Sequence, residues 1–208
     1  LLMISFEKKF IFTHIPKTGG TSISFALKDY KDDGIIASHV VLSKQIKKVT
    51  NRGENSDEYF KFAVIRNPWD LVVSNYFYIK SEKSYWHSSD DTTKFGKHPD
   101  YDFVKDLSFS EFVCALRDKK IKSRQNYKPQ SFWVDGELDY IIKFEKLLYG
   151  YKEVCKMLNI QPVTLPHLNK TNHRSYIEYY NCSTYKIVSQ IYKSDIKRFN
   201  FKYLKKFK

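Results

Sequence analysis

The sequence predicts an α/β fold with a central, mostly parallel β-sheet flanked by helices. Three segments rich in β-branched and aromatic residues predict strands at residues 9–15, 59–65 and 140–144. Each is followed, after a short break, by a segment with helical spacing of its apolar residues. Because parallel strands need a crossover connection, usually a helix, this alternation favours a parallel sheet.

Capping residues and apolar periodicity predict where the helices between the strands begin and end. Pro68 suits the first turn of a helix, and a serine before "EFV" suits an N-cap. Four helices are predicted with both ends, at residues 21–29, 69–80, 146–159 and 182–199. Two more are predicted by their starts, one at about residue 42 and one at Ser108 or Ser110. A short strand is predicted at 34–38. Residues 81–108 have no period, which predicts a functional lid or a mobile segment.

Composition limits the class of protein. The 208 residues fit a single domain over 1–208, and 42% hydrophobic and 17% aromatic residues indicate a folded chain. The formal net charge of +13 indicates anionic partners. The three cysteines are widely spaced, which argues against a disulfide framework or a zinc site. The sequence has no run of about 18 apolar residues, so no membrane-spanning helix is predicted. The stretch "LLMISFEKKF" is too short and too charged for a signal peptide.

The stretch "PKTGGTS" has the parts of a phosphate-binding loop. A strand, a glycine-rich turn and a helix start bring backbone N–H groups and a partial positive charge together. The candidate donors are Lys17, Thr18, Gly19, Gly20, Thr21 and Ser22. The order differs from the Walker A pattern, because the lysine precedes the glycines. The loop therefore predicts an anion held without a metal; the alternative is an ordinary glycine turn capped by threonine.

The stretch "FAVIRNPWDLVVSNY" repeats the layout of strand, break and helix. Arg66 ends the strand and offers a planar fork for a phosphate. Ser74 lies two helical turns further on and could meet the same wide anion. The alternative is that Arg66 pairs with Asp70 and that Ser74 is a surface residue.

These motifs carry a resemblance to a family. "HIPKTGGTS" resembles the 5′-phosphosulfate loop of sulfotransferases, of the kind found in carbohydrate O-sulfotransferases related to the heparan sulfate enzymes, sulfotransferase family 2. "FAVIRNPWDLVVSNYFY" is similar to the family's 3′-phosphate element. "SFSEFV", "PQSFWV", "IIKFEKL", "LPHLNKT" and "DIKRFNF" follow in the family's order, so that the resemblance covers most of the chain.

The resemblance implies a P-loop-like three-layer fold and a cofactor, 3′-phosphoadenosine 5′-phosphosulfate (PAPS), with adenosine 3′,5′-bisphosphate (PAP) as its product and no metal. It implies that Lys17 binds the 5′-phosphate and neutralises the bridging oxygen in the transition state. In the loop "PHLNKTNHRSY", Asn169, Lys170 and His173 are candidates for the 3′-phosphate or the adenine; the alternative is a solvated loop.

A base must take the acceptor's proton, and histidine is the usual choice near neutral pH. His39 is the predicted base, because it follows the short predicted strand and is similar in position to the family's catalytic histidine. The alternative is a partly buried structural histidine. His14, just before the loop, is expected to have a supporting role. No nucleophile lies in the motifs, so direct in-line transfer is expected.

The acceptor is expected to be a glycan or another hydroxyl compound, possibly anionic. A metal-dependent nucleotide phosphotransferase is disfavoured by the missing Walker lysine. A nucleic-acid-binding module is disfavoured because no corresponding signature occurs, and no nucleic-acid partner is expected. The expected compartment is the cytoplasm if the chain is full length, and the Golgi lumen if it is a trimmed catalytic domain. The oligomeric state stays open.

Overall fold

The computed structural model describes residues 2–30, 39–82, 96–166 and 173–204. In chain order the strands and α-helices are β1 (Leu2–Ser5), β2 (Phe10–Thr13), α1 (Gly20–Ala26), α2 (Leu42–Thr50), β3 (Phe60–Ile65), α3 (Pro68–Ile79), α4 (Tyr101–Val104), α5 (Phe109–Arg117), α6 (Gln130–Trp133), β4 (Tyr140–Lys143), α7 (Leu147–Met157), α8 (Cys182–Ile191) and α9 (Lys193–Phe199). The chain divides into unit 1 (Leu1–Arg66 and Gln130–Leu168) and unit 2 (Asn67–Pro129 and Asn169–Lys208). A single domain over residues 1–208 stays a prediction.

Unit 1 contains the sheet, in which the strands lie in the order β1-β2-β3-β4. β1 pairs with β2 in antiparallel fashion, whereas β3 is parallel to β2 and β4 is parallel to β3. The predicted α/β class is thus confirmed, as a mixed sheet whose β2, β3 and β4 are parallel. The antiparallel edge strand β1 was not predicted, because its four residues precede a charged turn and carry no clear alternation.

Helices cover both faces of the sheet in unit 1. Successive residues of a strand point to opposite faces, so Phe12 and Thr13 of β2 face opposite sides. Phe12 belongs to a buried cluster with Ile23 of α1 and Val154 of α7. On the other face the hydroxyl of Thr13 bonds to the side chain of Gln45, on α2, at 2.7 Å. The sheet is therefore the middle layer of three within this unit.

Unit 2 is helical and has an aromatic core of its own. Trp69, Tyr76, Phe112, Tyr180 and Tyr192 are all buried in it. The predicted start of α3 is confirmed: Asn67 is the N-cap, and Pro68 occupies the first turn. The start of α5 is also confirmed, since Ser108 and Glu111 form a capping box.

Several predicted boundaries change in the structure. The strand predicted at 9–15 narrows to Phe10–Thr13, with Lys9 in a left-handed conformation at φ +46°. The helix predicted over 182–199 is two helices, which meet at Tyr192. Residues 101–104 of the aperiodic stretch form the short helix α4. The predicted strand at 34–38 and residues 83–95 of the predicted lid lie outside the described residues. Within the described ranges, no helix is long and apolar enough to cross a membrane.

Candidate active site

The loop after β2 holds two residues in left-handed conformations. Lys17 has φ +63°, and Gly19, the N-cap of α1, has φ +84°. The lysine conformation is unfavourable for a residue with a Cβ, by about 1 kcal/mol or more. Such a conformation occurs in functional turns, and Lys9 and Lys119 adopt it as well.

The two glycines are needed for different reasons. At Gly19 the positive φ itself favours glycine, and an added Cβ would lie 3.0 Å from the Leu147 side chain. At Gly20 an added Cβ would lie 2.1 Å from the ring of His14. The imidazole of His14 thus fills the space that any larger residue at position 20 would need. The close neighbour of Gly20 is therefore the side chain of the residue that follows β2.

The hydroxyl residues of the loop differ in their surroundings. The Thr18 hydroxyl is buried and donates to the Ile15 carbonyl oxygen at 2.9 Å, so its proton is used within the loop. The Ser22 side chain is buried, whereas Thr21 is partly exposed. The N-cap of α1 is Gly19, which has no side chain with which to cap the helix. Backbone N–H groups at the start of a helix are donors that can hold an anion.

Arg66, directly after β3, is held at its backbone and its side chain. Its amide N–H donates to Oε1 of Gln130 at 2.7 Å, and its carbonyl accepts from Nε2 of Gln130 at 2.8 Å. Its guanidinium donates to the Lys17 carbonyl oxygen at 3.1 Å and lies 4.2 Å from the centre of the Phe144 ring. The residue predicted for the 3′-phosphate is therefore in contact with the glycine-rich loop.

The Lys17 ammonium is in an unusual electrostatic environment. Burial, together with the nearby positive charge of Arg66, lowers the pKa of Lys17 to about 7. Two cationic groups held together in this way are stabilised by a bound anion. A lysine with such a pKa is typical of functional sites.

His39 is oriented by the residue that opens the loop. Its Nδ1 lies 2.8 Å from the carbonyl oxygen of His14. Because a carbonyl oxygen can only accept, Nδ1 carries the proton, and the lone pair of the neutral ring is on Nε2. Burial lowers the pKa of His39 to about 4, although the bond to His14 acts in the opposite direction. His39 is therefore neutral at pH 7 and able to accept a proton at Nε2.

Aromatic rings surround His39. The His14 ring lies 4.7 Å from it and the Trp133 ring 5.8 Å, both edge to face. His14 itself stacks on Phe12, 5.9 Å away, and burial lowers its pKa well below the usual value. His14 is thus a neutral ring that packs between β2, Gly20 and His39, and this geometry gives it a supporting place in the site.

Two buried glutamines complete the framework, and sequence reasoning missed both. Gln45 accepts from the Thr13 hydroxyl and donates to the Phe12 carbonyl oxygen at 3.1 Å, at the end of β2. Gln130 binds both backbone groups of Arg66, at the end of β3. For Gln45 the signal was a glutamine on an otherwise apolar helix face, and Gln130 lies in the motif "PQSFWV". Neither signal identifies a partner far away in sequence.

The other predicted residues belong to unit 2 or lie outside the described ranges. Ser74 is buried on α3. His173 is partly exposed, and its ring stacks on Phe77 with the centroids 5.5 Å apart. Asn169 and Lys170 lie outside the described residues. Ser74, Asn169, Lys170 and His173 as cofactor ligands stay predictions. Among the described side chains, no group of three or more His, Cys, Asp or Glu could hold a metal ion.

Comparison with known proteins gives the class of this chain. A model described as "Sulfotransferase family" matches residues 2–202. The chain therefore belongs to the sulfotransferase family, whose members transfer a sulfuryl group, as its motifs suggested. The fold is similar to that in a crystal structure of mouse sulfotransferase SULT7A1 complexed with PAP, with a TM-score of 0.56 and 11% sequence identity. That similarity covers 95% of this chain and 87% of the mouse chain. No curated protein matched the sequence.

Proposed function

We propose that this protein transfers the sulfuryl group of PAPS to a hydroxyl group of a carbohydrate acceptor, in one direct in-line step. The observation that carries the proposal is the arrangement around one loop of unit 1. Lys17 and Arg66 are adjacent cations, and His39 is a neutral imidazole bonded to the same loop. The similar mouse sulfotransferase is complexed with PAP, which supports the choice of donor.

The chemistry of the loop fits the 5′ end of such a donor. The strained loop presents the Lys17 ammonium and the uncapped start of α1, and both favour an anion. Arg66 adds a guanidinium that holds the loop by its Lys17 carbonyl. Lys17 to Ser22 would thus hold the 5′-phosphosulfate, and Arg66 would hold the 3′-phosphate.

When bound, PAPS supplies an activated sulfuryl group on a phosphate leaving group. The Lys17 ammonium then stabilises the negative charge that grows on the bridging oxygen as the S–O bond breaks. Its lowered pKa means that an adjacent anion is needed to keep it fully charged above pH 7. Charge on Lys17 is thereby tied to occupancy of the loop.

His39 accepts the proton of the attacking hydroxyl at Nε2. The bond from Nδ1–H to the His14 carbonyl fixes the tautomer and stabilises the imidazolium that forms. Since burial keeps the ring neutral in the resting enzyme, its basic nitrogen is available at physiological pH. A carbohydrate is the proposed acceptor because the motifs resemble carbohydrate enzymes, and the charge of +13 suits an acidic one.

The proposal is tested by sulfate transfer from labelled PAPS, without added metal, to neutral and acidic glycans, a tyrosine peptide and a simple alcohol. We expect label on a glycan, and a rate reduced about 10²- to 10⁴-fold by His39→Ala. Lys28→Ala, which removes an exposed lysine just after α1, is the control and should leave the rate unchanged. Transfer to the peptide or the alcohol alone would overturn the acceptor class, and an unchanged rate in His39→Ala would overturn the base.

A further inference from the structure

The segment of residues 130–135 contacts the candidate site at separate points. We propose that this 130–135 segment is a positioning element, in which Gln130 fixes Arg66 and Trp133 fixes His39 for the same reaction. This inference rests on the proposed function for its chemical meaning. Neither side chain is placed among the groups that touch donor or acceptor; both act through the residues they hold.

Gln130 fixes the point at which β3 ends. Its amide is fully buried, accepts from the Arg66 N–H and donates to the Arg66 carbonyl. One side chain thus binds both backbone groups of one residue, as a neighbouring strand would. The Arg66 guanidinium in turn bonds the Lys17 carbonyl at 3.1 Å. A shift of the Arg66 backbone would therefore reach the strained turn that carries the Lys17 ammonium.

Trp133 fixes the ring of His39. The indole is 4% exposed, and its ring lies 5.8 Å from the imidazole at an interplanar angle of 60°. The His14 ring lies 4.7 Å from the same imidazole. Between these two rings the imidazole is held in the orientation that donates to the His14 carbonyl, and each ring covers part of it. Trp133 thus maintains both the tautomer and the neutral state of His39.

Asp135 anchors the segment to the helix that follows His39. Its carboxylate accepts the backbone N–H of Ser43 at 2.8 Å and also the Ser43 hydroxyl. Ser43 lies in the first turn of α2, where a carboxylate is favoured by the helix dipole. The 130–135 segment therefore meets the candidate site at the end of β3, at the imidazole and at the start of α2.

The segment also supplies its own control. Val134 lies between Trp133 and Asp135 and is fully buried. A general packing role predicts that shortening Val134 disturbs the site as much as altering its neighbours. A positioning role predicts that Val134→Ala reduces stability alone, because the substitution shortens an apolar side chain and leaves the backbone of the segment unchanged.

The test compares wild type, Gln130→Met, Trp133→Leu and Val134→Ala as full chains. Gln130→Met keeps the volume but removes both amide bonds to Arg66. Three properties are measured: hydrogen exchange of the Arg66 amide, the neutral fraction of His39 by NMR at pH 5.5, and PAP affinity by calorimetry. Thermal unfolding shows that each variant is folded, and Trp133→Phe replaces Trp133→Leu if the latter does not fold.

Each variant has a distinct expected result. Gln130→Met should speed exchange of the Arg66 amide and weaken PAP binding about tenfold, with His39 still neutral. Trp133→Leu should expose more of the His39 ring to water and so raise its pKa. A ring with a pKa of about 4 is about 97% neutral at pH 5.5, and it would become mostly charged if its pKa approached 6.5. Trp133→Phe should raise the charged fraction of His39 as well, but by less. Val134→Ala should lower the melting temperature only.

The outcomes separate this inference from the proposed function. If Val134→Ala changes His39 and Arg66 as much as its neighbours do, the segment is ordinary core and the positioning role is overturned. The same follows if Gln130→Met and Trp133→Leu leave all three properties as in wild type. If wild type does not bind PAP, the donor assignment fails, while the two NMR measurements still decide whether the segment positions Arg66 and His39.

Discussion

The Nδ1 atom of His39 lies 2.8 Å from the backbone carbonyl oxygen of His14, the first residue after β2. This single bond joins the proposed base to the loop that carries Lys17. Since Nδ1 must donate in it, the proton-accepting atom is Nε2. The loop therefore determines not only where an anion can be held but also which nitrogen of the base is basic.

The pH dependence of the rate tests this assignment. Burial lowers the pKa of His39 to about 4, so the ring stays in its proton-accepting form throughout the range from pH 5 to 7. We expect kcat/KM for PAPS, which reports the groups of the free enzyme, to be flat on the acidic side down to pH 5. An acidic limb with a midpoint near 6.5 would show an imidazole with an ordinary environment and would contradict the lowered pKa of His39.

Folding stability should depend on pH with a definite sign. Burial lowers the pKa of both His14 and His39 in the folded state, so between about 6.5 and the lowered values the unfolded chain binds more protons. These two histidines should therefore make the free energy of unfolding fall as pH falls below about 6.5. Above about pH 7 the lowered pKa of Lys17 should make the free energy of unfolding rise further with pH, because the unfolded chain still holds that proton. Melting temperatures at pH 7.5, 6 and 5 measure this. In His39→Asn the fall should be smaller, and an equal fall would assign the effect to other groups.

Binding of PAP should take up a proton. The pKa of Lys17 is about 7 because of burial and Arg66, so much of the ammonium is deprotonated at pH 8. A bound anion raises that pKa, which requires proton uptake at pH 8 and little at pH 5.5. Calorimetry in two buffers of different ionisation enthalpy measures the number of protons. Lys17→Met should abolish the uptake; uptake that persists in this variant would place the titrating group elsewhere.

Gly20 tests the contact between the loop and His14. Gly20→Ala puts a Cβ 2.1 Å from the His14 ring, so that the ring or the loop must move. We expect a loss of about 1–3 kcal/mol in the free energy of unfolding, together with weaker PAP binding. Gly53→Ala is the matched control, since position 53 also has a positive φ but nothing lies within 4 Å of an added Cβ. It should lower stability by about 1 kcal/mol and leave binding unchanged. Equal PAP binding by the two variants would show that the contact between Gly20 and the His14 ring does not affect the binding site.

Local sequence signals were sufficient for the parallel part of the fold. The break "RNP" gave the end of β3 and the start of α3, and the glycine-rich turn gave the end of β2 and the start of α1. β1 was missed because a four-residue edge strand gains its hydrogen bonds from β2 and not from its own pattern. The division of the tail at Tyr192 was missed because helical periodicity continues across it.

The candidate site was predictable only where its residues form a local sequence motif or end a predicted strand. Lys17 and the two glycines form a motif, and Arg66 stands at a strand end. Gln130, in contrast, meets Arg66 from 64 positions away, and Gln45 meets Thr13 from 32 positions away. The packing of His14 against Gly20 likewise depends on a ring orientation that spacing alone does not define.

Calorimetric titration of PAP into the metal-free protein tests the central claim most directly. We expect micromolar binding that Lys17→Ala and Arg66→Ala each weaken about 10- to 100-fold, because each removes a charged donor. Lys28→Ala, which removes an exposed lysine, should bind as wild type does. No binding by the folded wild-type protein, or binding that neither Lys17→Ala nor Arg66→Ala weakens, would contradict the assignment of this loop to the donor nucleotide.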